Sequence, residues 1–264
     1  MGLNRLVGYE NSLHPSHRIL TSQLEYVAAK DLKVGDKLVS FEPYVTDKRS
    51  RRYLEGSVLE VKESRECTLK ITLASGGVCI SSSKSKWFVK TGSKYHWVDL
   101  EKMRKGTCIP KIIPEFEKLD NFDAGWLSGI YDGEGSLTIR NTTGGTCFQL
   151  SVSQARGAVL DQMKSILKSQ CNVETTVSLG ACVNKQVENL RIKGGVRGIL
   201  KVLGQLRPLR LLNNFSPNHI GRINCPNSLN DKVVSVELLD ESPTISIVVD
   251  CKTMVVNGYG QLTN

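Results

Sequence analysis

Over the first hundred residues the apolar positions come in short, β-favourable runs: Arg18–Leu20, Lys37–Phe41, Cys67–Ala74, Val78–Ile80 and Trp87–Lys90. Gly35, Gly56, Gly76–Gly77 and Gly92 fall between or beside them as turn signals, so the stretch predicts strands. From about Pro114 the spacing changes. Phe122–Tyr131 carries an apolar stripe at helical spacing, with Asp123 in the first turn, where an acid suits the helix dipole. Two alternating runs follow, Ser136–Arg140 and Cys147–Val152, joined by a turn at Asn141-Thr-Thr-Gly-Gly145. Gly157–Ser169 reads as an amphipathic helix with Val159, Leu160, Met163, Ile166 and Leu167 inward. A second hairpin, Val173–Val177 and Val187–Ile192, precedes a helix at Val196–Leu206. The order α-β-β-α-β-β-α describes a compact α+β unit. After Ile223 the β pattern returns, with Val233–Leu238, Ile245–Val249 and Met254–Val256. One all-β domain split by an inserted α+β domain is the simplest account.

The β part carries a weak internal repeat. Val27-Ala-Ala-Lys-Asp-Leu-Lys-Val-Gly-Asp-Lys-Leu38 can be laid beside Val98-Asp-Leu-Glu-Lys-Met-Arg-Lys-Gly-Thr-Cys-Ile109. Each has a valine, a short helical turn with a buried Leu or Met, and a glycine opening a strand. Such a pair suggests two related β halves about a pseudo-twofold axis, although twelve residues also match by chance.

Composition narrows the partners. The chain has 264 residues and a formal net charge of +9, which favours a polyanion. No acid lies between Glu188 and Asp231, whereas Arg191, Lys193, Arg197, Lys201, Arg207, Arg210 and Arg222 do. Nucleic acid is the leading partner, and a solvated basic face is the plainer alternative. No apolar run is long enough to span a bilayer, and Met1–Glu10 is not a signal peptide, so no membrane partner is expected. The eight cysteines include no Cys-x-x-Cys pair and only four histidines accompany them, so zinc and a disulfide framework are disfavoured. Reduced thiols and an intracellular location, cytoplasmic or nucleoid-associated in a microbial or phage setting, are the expectation.

The most informative stretch is Leu127-Ser-Gly-Ile-Tyr-Asp-Gly-Glu-Gly135. Gly129 and Gly133 stand four apart, so they share one helix face and let a second helix approach closely. Glycine inside a helix costs about 1 kcal/mol against alanine, which close packing can offset. Glu134 ends the helix and carries its carboxylate to the tip of that face. Asp132, two residues earlier, points elsewhere and suits backbone groups at the helix end. A small-residue helix contact with an incidental acid would look the same.

These nine residues resemble, position by position, the motif that names the LAGLIDADG homing endonucleases, and the element order matches that family too. The resemblance implies site-specific cleavage of double-stranded DNA with Mg²⁺ (or Mn²⁺), held by Glu134 where the family usually has Asp. Only one motif occurs, so one chain supplies half a site and the implied active species is a homodimer. The strands would form a saddle in the major groove, with Leu137, Ile139, Phe148, Leu150 and Val152 inward. That leaves Thr138, Arg140, Gln149, Ser151 and Ser153 toward DNA, joined by Lys185, Asn189, Arg191 and Lys193 from the second hairpin. Gln154 matches the polar residue near the active water, and Arg207 and Arg210 match the basic residue by the cleavage site.

The flanking β parts resemble another family. Ser12-Leu-His-Pro-Ser-His-Arg-Ile-Leu-Thr21 with Asp31-Leu-Lys-Val-Gly-Asp-Lys-Leu38 is similar to the opening of an intein. Ser82-Ser-Lys-Ser-Lys-Trp-Phe-Val89 is similar to its next block, and Thr253-Met-Val-Val-Asn-Gly258 through Thr263-Asn264 to its closing blocks. The implied fold is a Hint domain, an all-β pseudo-twofold horseshoe. The implied divisions are 1–11 as extension or extein remnant, 12–113 and 224–264 as Hint parts, and 114–223 as the endonuclease. In such chemistry Ser12 attacks the carbonyl of Asn11, turning an amide into an ester, and Asn264 cyclises to break the downstream bond, with flanking exteins as partners. Two positions depart from the family. Ser85 and Thr263 stand where histidines assist the two steps, and neither hydroxyl shuttles protons near neutral pH as imidazole does. Cys251 offers itself as another nucleophile, although an ordinary thiol is the simpler reading. Three functions therefore remain open: a DNA endonuclease on a Hint frame with weak or lost splicing, a self-splicing element with a decayed endonuclease, and a DNA-binding protein with neither activity.

Overall fold

A computed structural model describes residues 11–45, 51–142, 145–179 and 187–264. They divide into two compact units. One gathers the described parts of Met1–Ser22, Tyr26–Glu115 and Ile223–Asn264, the other those of Gln23–Glu25 and Phe116–Arg222. In chain order the first strands are β1 (Ser12–Leu13), β2 (Arg18–Leu20), β3 (Tyr26–Ala28), β4 (Lys37–Phe41) and β5 (Tyr53–Leu73). They are followed by β6 (Val78–Ser82), β7 (Lys86–Thr91), β8 (Lys94–Asp99) and β9 (Cys108–Pro110). The second unit contributes α1 (Phe122–Glu134), β10 (Gly135–Thr142), β11 (Gly145–Ala155), α2 (Ala158–Ser169), β12 (Thr175–Leu179), β13 (Val187–Ile192), α3 (Gly195–Leu206) and α4 (Leu209–Asn213). The chain closes with β14 (Asn230–Val249), β15 (Thr253–Val256) and β16 (Tyr259–Leu262).

The first unit is built on one antiparallel sheet, ordered β3-β2-β15-β16-β7-β9-β14-β1-β6-β5-β4 with β8 on β7. Its core unites residues from both ends of the chain, among them Leu13, Ile19, Trp87, Ile109, Ile247, Met254 and Val256. Two strands are far longer than the apolar runs suggest. Cys67–Ala74 is only the end of β5, and Val233–Leu238 and Ile245–Val249 are one strand, β14. The two pair from Val233–Leu73 to Val249–Val58, with register shifts that bend the ribbon near Leu238 and Val248. Leu238 is 75% exposed, so this ribbon is wet where hydrophobic periodicity fails, and backbone pairing with polar cross-strand pairs such as Ser64–Thr244 and Thr68–Ser242 continues it.

The repeat folds twice in the same way. Ala29–Asp31 and Leu100–Lys102 each form one 3-10 turn, entered and left through extended residues. Ala29 and Leu32 in the first copy, and Leu100 and Met103 in the second, are buried. Gly35 and Gly106 follow at φ +96° and +89°, a left-handed backbone that glycine adopts without strain. Ala29 N–H donates to His17 O and Leu100 N–H donates to Ser85 O, so His17 and Ser85 are equivalent positions of the two copies.

The second unit runs α-β-β-α-β-β-α and then adds α4, a turn that its sequence did not suggest. Its strands form a separate antiparallel sheet, β10-β11-β13-β12. Leu150, Val152, Leu190 and Ile192 are buried on one face, as are Leu127, Tyr131, Leu160, Met163, Ile199 and Leu203 on the helices. Three expectations are corrected here. Val159 is exposed: the buried face of α2 runs through Leu160, Met163, Ile166 and Leu167, and Val159 stands beside it. Ile139 lies on the edge strand β10 and is exposed rather than in the core. The second hairpin starts at Thr175, with Val173 spent on closing the loop after α2 through a bond to Leu167 O. No helix among the described residues is long and apolar enough to cross a membrane.

Candidate functional site

Two sites emerge, one in each unit. In the first unit β1 is threaded between β6 and β14, with Ser12 opposite Ser246 and Leu13 between Ile245 and Ser81. Ser12 is fully buried. Its N–H donates to Ser82 Oγ at 3.3 Å, the Ser82 and Ser85 hydroxyls are 2.8 Å apart, and Ser85 Oγ donates to Ser12 O at 2.9 Å. Ser12 Oγ itself has no hydrogen-bond partner. The position before it is held as firmly: Asn11 Oδ1 accepts from Lys86 N at 2.9 Å, and Asn11 Nδ2 donates to Asn264 Oδ1 at 3.0 Å. Asn264 Nδ2 donates to Ser246 Oγ at 2.8 Å. Ser12 and Asn264, at opposite ends of the described chain, are thus gathered around one buried hydroxyl cluster.

Hydroxyl groups fill the positions where imidazole was expected. Ser85 is a donor to Ser12 O, and Thr263 turns its Oγ1 to accept from Val249 N at 3.3 Å. The imidazole equivalent to Ser85 belongs to His17 in the other copy of the repeat. Burial pushes the pKa of His17 down to about 4. Its Nε2 lies 2.9 Å from Ile80 O and its Nδ1 2.8 Å from Asn257 Nδ2, so it is a neutral structural residue. Cys251 fits the ordinary-thiol reading. Partial burial first, then the neighbouring Asp250, pushes its thiol up to about 11, and its Sγ faces Glu55 O at 3.5 Å. Sequence reasoning missed Ser82 and Ser246, because strand register brings them to Ser12 and register is not written in the motif.

In the second unit α1 delivers an acid to a concave sheet face. Asn121 caps the helix by accepting from Ala124 N, and Gly135 ends it through a bond to Tyr131 O. A Cβ at Gly135 would sit 2.4 Å from Tyr131 O, so glycine is required there. Alternating residues of β10, β11 and β13 then line a concavity of about 340 Å³ together with Glu134: Ser136, Thr138, Arg140, Cys147, Gln149, Ser151, Ser153, Asn189 and Arg191. The pairings Thr138–Gln149, Ser136–Ser151, Ser151–Arg191 and Ser153–Asn189 set them in rows. Asn189 Nδ2 donates to Ser153 Oγ, and Arg191 Nε to Asn189 Oδ1, which holds the polar face in place. Gln154 Nε2 donates to Glu134 Oε2 at 3.4 Å.

The remaining basic residues divide. Lys193 is exposed just past the end of β13, and Lys185 lies outside the described residues. Arg207 and Arg210 are not on the concave face. Arg207 donates to Gln23 O and Leu24 O and pairs with Glu25 at 3.0 Å. Arg210 donates to Tyr131 O, Asp132 O and Gly135 O, placing its charge on the carbonyl end of α1, where the helix dipole favours it. Asp132 answers by accepting from the backbone N–H groups of Leu209 and Arg210. These two guanidinium groups close the helix end and a loop, on protein carbonyls and, for Arg207, the Glu25 carboxylate.

Among the described residues no group of three or more His, Cys, Asp or Glu is placed to hold a metal ion. Among the described residues lining the concavity Glu134 is the one carboxylate, a donor set that would fit Mg²⁺, which keeps several waters and takes one or two carboxylates plus phosphate oxygens.

No protein-family model and no curated protein matches this chain. Solved structures similar to it include the gp41-1 intein at 12% identity and a TM-score of 0.40, covering 96% of this chain and 98% of that one. A DnaB intein from Synechocystis sp. PCC 6803 is 8% identical with a TM-score of 0.43, over 96% and 98%. The intein-like domain from Clostridium thermocellum is 11% identical with a TM-score of 0.40, over 96% and 99%. The structural neighbours are inteins and an intein-like domain, similar in chain course at low identity.

Proposed function

We propose that the first unit is a self-processing domain of the Hint type, which rearranges the peptide bond between Asn11 and Ser12 and cleaves after Asn264. The observation that supports this best is the buried cluster in which Ser12, Asn264 and the residue before Ser12 meet. Ser12 Oγ, unpartnered beside the Asn11 carbonyl in sequence, forms the C–O bond while the C–N bond to Ser12 breaks. The departing nitrogen needs a proton, and Ser82 Oγ, linked to Ser85 Oγ, is the group in contact with it. A hydroxyl keeps its proton too tightly near neutral pH to pass it on as an imidazolium does, so the step is slower than with an imidazole there, by about 10²–10⁴-fold. The test places residues 11–264 between two reporter domains, the second beginning with Ser, Thr or Cys. A ligated product lost in Ser12→Ala supports the reading, and an intact precursor that hydroxylamine cannot cleave at the Asn11–Ser12 junction sinks it. Removing an unpaired buried hydroxyl should also make Ser12→Ala more stable by about 1–2 kcal/mol.

A second reading concerns the other unit, and a specific observation favours it: Glu134 stands at the rim of a concave sheet whose lining carries Arg140, Arg191 and a row of polar side chains. This suits a LAGLIDADG-type nuclease that works as a homodimer on double-stranded DNA. Paired Glu134 carboxylates would hold Mg²⁺ (or Mn²⁺), which supplies Lewis-acid stabilisation at the phosphate. Gln154 orients Glu134, Arg140 and Arg191 offset phosphate or read base edges, and the serine and threonine rows fit the groove. Incubation with a DNA target library and Mg²⁺ should yield cuts that Glu134→Gln abolishes while binding persists. Cleavage by Glu134→Gln at the parent rate would refute the assignment.

A further inference from the structure

We infer that the carboxamide of Asn11 is a latch on Asn264, which delays cleavage after Asn264 until the segment ending in Asn11 has left. The inference rests on the self-processing reading and assigns Asn11 a positioning role in it.

Asparagine cyclisation is demanding in geometry. Asn264 Nδ2 must turn onto its own main-chain carbonyl carbon; the Nδ2–C bond forms, the C–N bond to the following residue breaks, and a proton of Nδ2 passes to the leaving amine. Here both ends of that carboxamide are occupied. Nδ2 donates to Ser246 Oγ at 2.8 Å, and Oδ1 accepts from Asn11 Nδ2 at 3.0 Å. Asn11 is itself immobilised: it is 4% exposed, and Lys86 N donates to its Oδ1 at 2.9 Å. Lys86 opens β7, and Ser246 lies in β14 opposite Ser12, so the latch is anchored in the sheet.

Asn11 is also the residue whose carbonyl Ser12 attacks. Once its acyl group moves to Ser12 Oγ and then away, the donor to Asn264 Oδ1 goes with it. The carboxamide then keeps a single bond, to Ser246, and can rotate about its side chain. One side-chain amide therefore reports to the downstream junction whether the upstream junction is still joined. Asn11 acts through Asn264 and is a positioning residue.

The experiment uses the full chain extended by a short peptide after Asn264, in a Ser12→Ala background so that the upstream segment stays attached. Release of the peptide and succinimide at Asn264 are followed by mass spectrometry, and the Asn264 side-chain amide by ¹⁵N NMR. Asn11→Ala and Asn11→Asp, neither of which can donate to Oδ1, should speed release about five- to tenfold, the value of one buried hydrogen bond. Both should also release the Asn264 amide into faster motion and exchange. An unchanged or lower release rate, or an Asn264 amide as rigid as before, overturns the latch. If every variant frees the amide yet none releases the peptide, the self-processing reading fails, and the gate falls with it.

Discussion

Gly125, Gly129 and Gly133 stand four apart along α1, and a Cβ added at any of them would meet nothing within 4 Å. The protomer therefore gains nothing from these glycines, whereas Gly135 is required by its own helix. Replacing Gly129 and Gly133 with alanine removes the conformational entropy that glycine loses in a helix, about 0.5–1 kcal/mol at each position. For the pair the expected gain is about 1–2 kcal/mol in protomer stability. With a urea m-value of about 2 kcal/mol/M, the unfolding midpoint of the second unit rises by about 0.5–1 M. Trp126, on the same helix, reports it by fluorescence in dilute protein. Function should move the other way. If two α1 helices meet along this row, two added methyl groups on each hold the backbones apart and Glu134 away from its twin. Self-association on DNA and cleavage should then fall at least tenfold, a loss of about 1.4 kcal/mol or more. A less stable protomer would show that the face is already packed. A more stable variant that cuts DNA at the parent rate would refute the helix-pairing argument.

Three further outcomes follow from single residues. His17, whose pKa is pushed to about 4 by burial, binds its proton less readily folded than unfolded. Its contribution is whole above about pH 6.5 and lost as pH falls toward 4, about 3 kcal/mol in all; a His17→Gln variant with the same acid slope between pH 6.5 and 4 would contradict this. Asp231 and Asp250, held below the usual carboxylate range by hydrogen bonds that outweigh their partial burial, lose their contribution only at lower pH, so the windows separate. Arg210→Gln should slow DNA cleavage with little change in affinity or salt dependence, because its partners are the carbonyls ending α1; a salt slope lower by about 1 would show a phosphate contact instead. Gly204→Ala should destabilise the second unit by at least about 1–3 kcal/mol in thermal unfolding, since its Cβ would lie 2.1 Å from the Phe116 ring; an unchanged midpoint would mean the ring moves freely.

What was legible in the sequence follows from where a period exists. In β10 and β11 side chains alternate, so naming Leu150 as core also places Gln149 and Ser151 on the other face, and the concavity is lined accordingly. Arg140 and Arg191 inherit their positions from the same rule. Arg207 and Arg210 lie after α3, in a stretch with no period, and only charge and the family resemblance suggested phosphate. Their partners, the carbonyls of Gln23, Leu24 and the end of α1, come from segments 75 or more residues away in sequence. The hydroxyl cluster around Ser12 was half legible for a related reason. Ser12 and Asn264 stand out by residue type and position, yet Ser82 and Ser246 are two serines among many until register selects them. The same limit explains β5 and β14, whose middle stretches are solvated and leave no apolar trace, so only pairing with each other reveals that they are continuous. Motif and period therefore locate residues within an element, whereas the partner of a buried hydroxyl or a lone guanidinium is decided by register and by contacts between distant segments, and it is those partners that assign Arg210 to a helix end and Asn11 to Asn264.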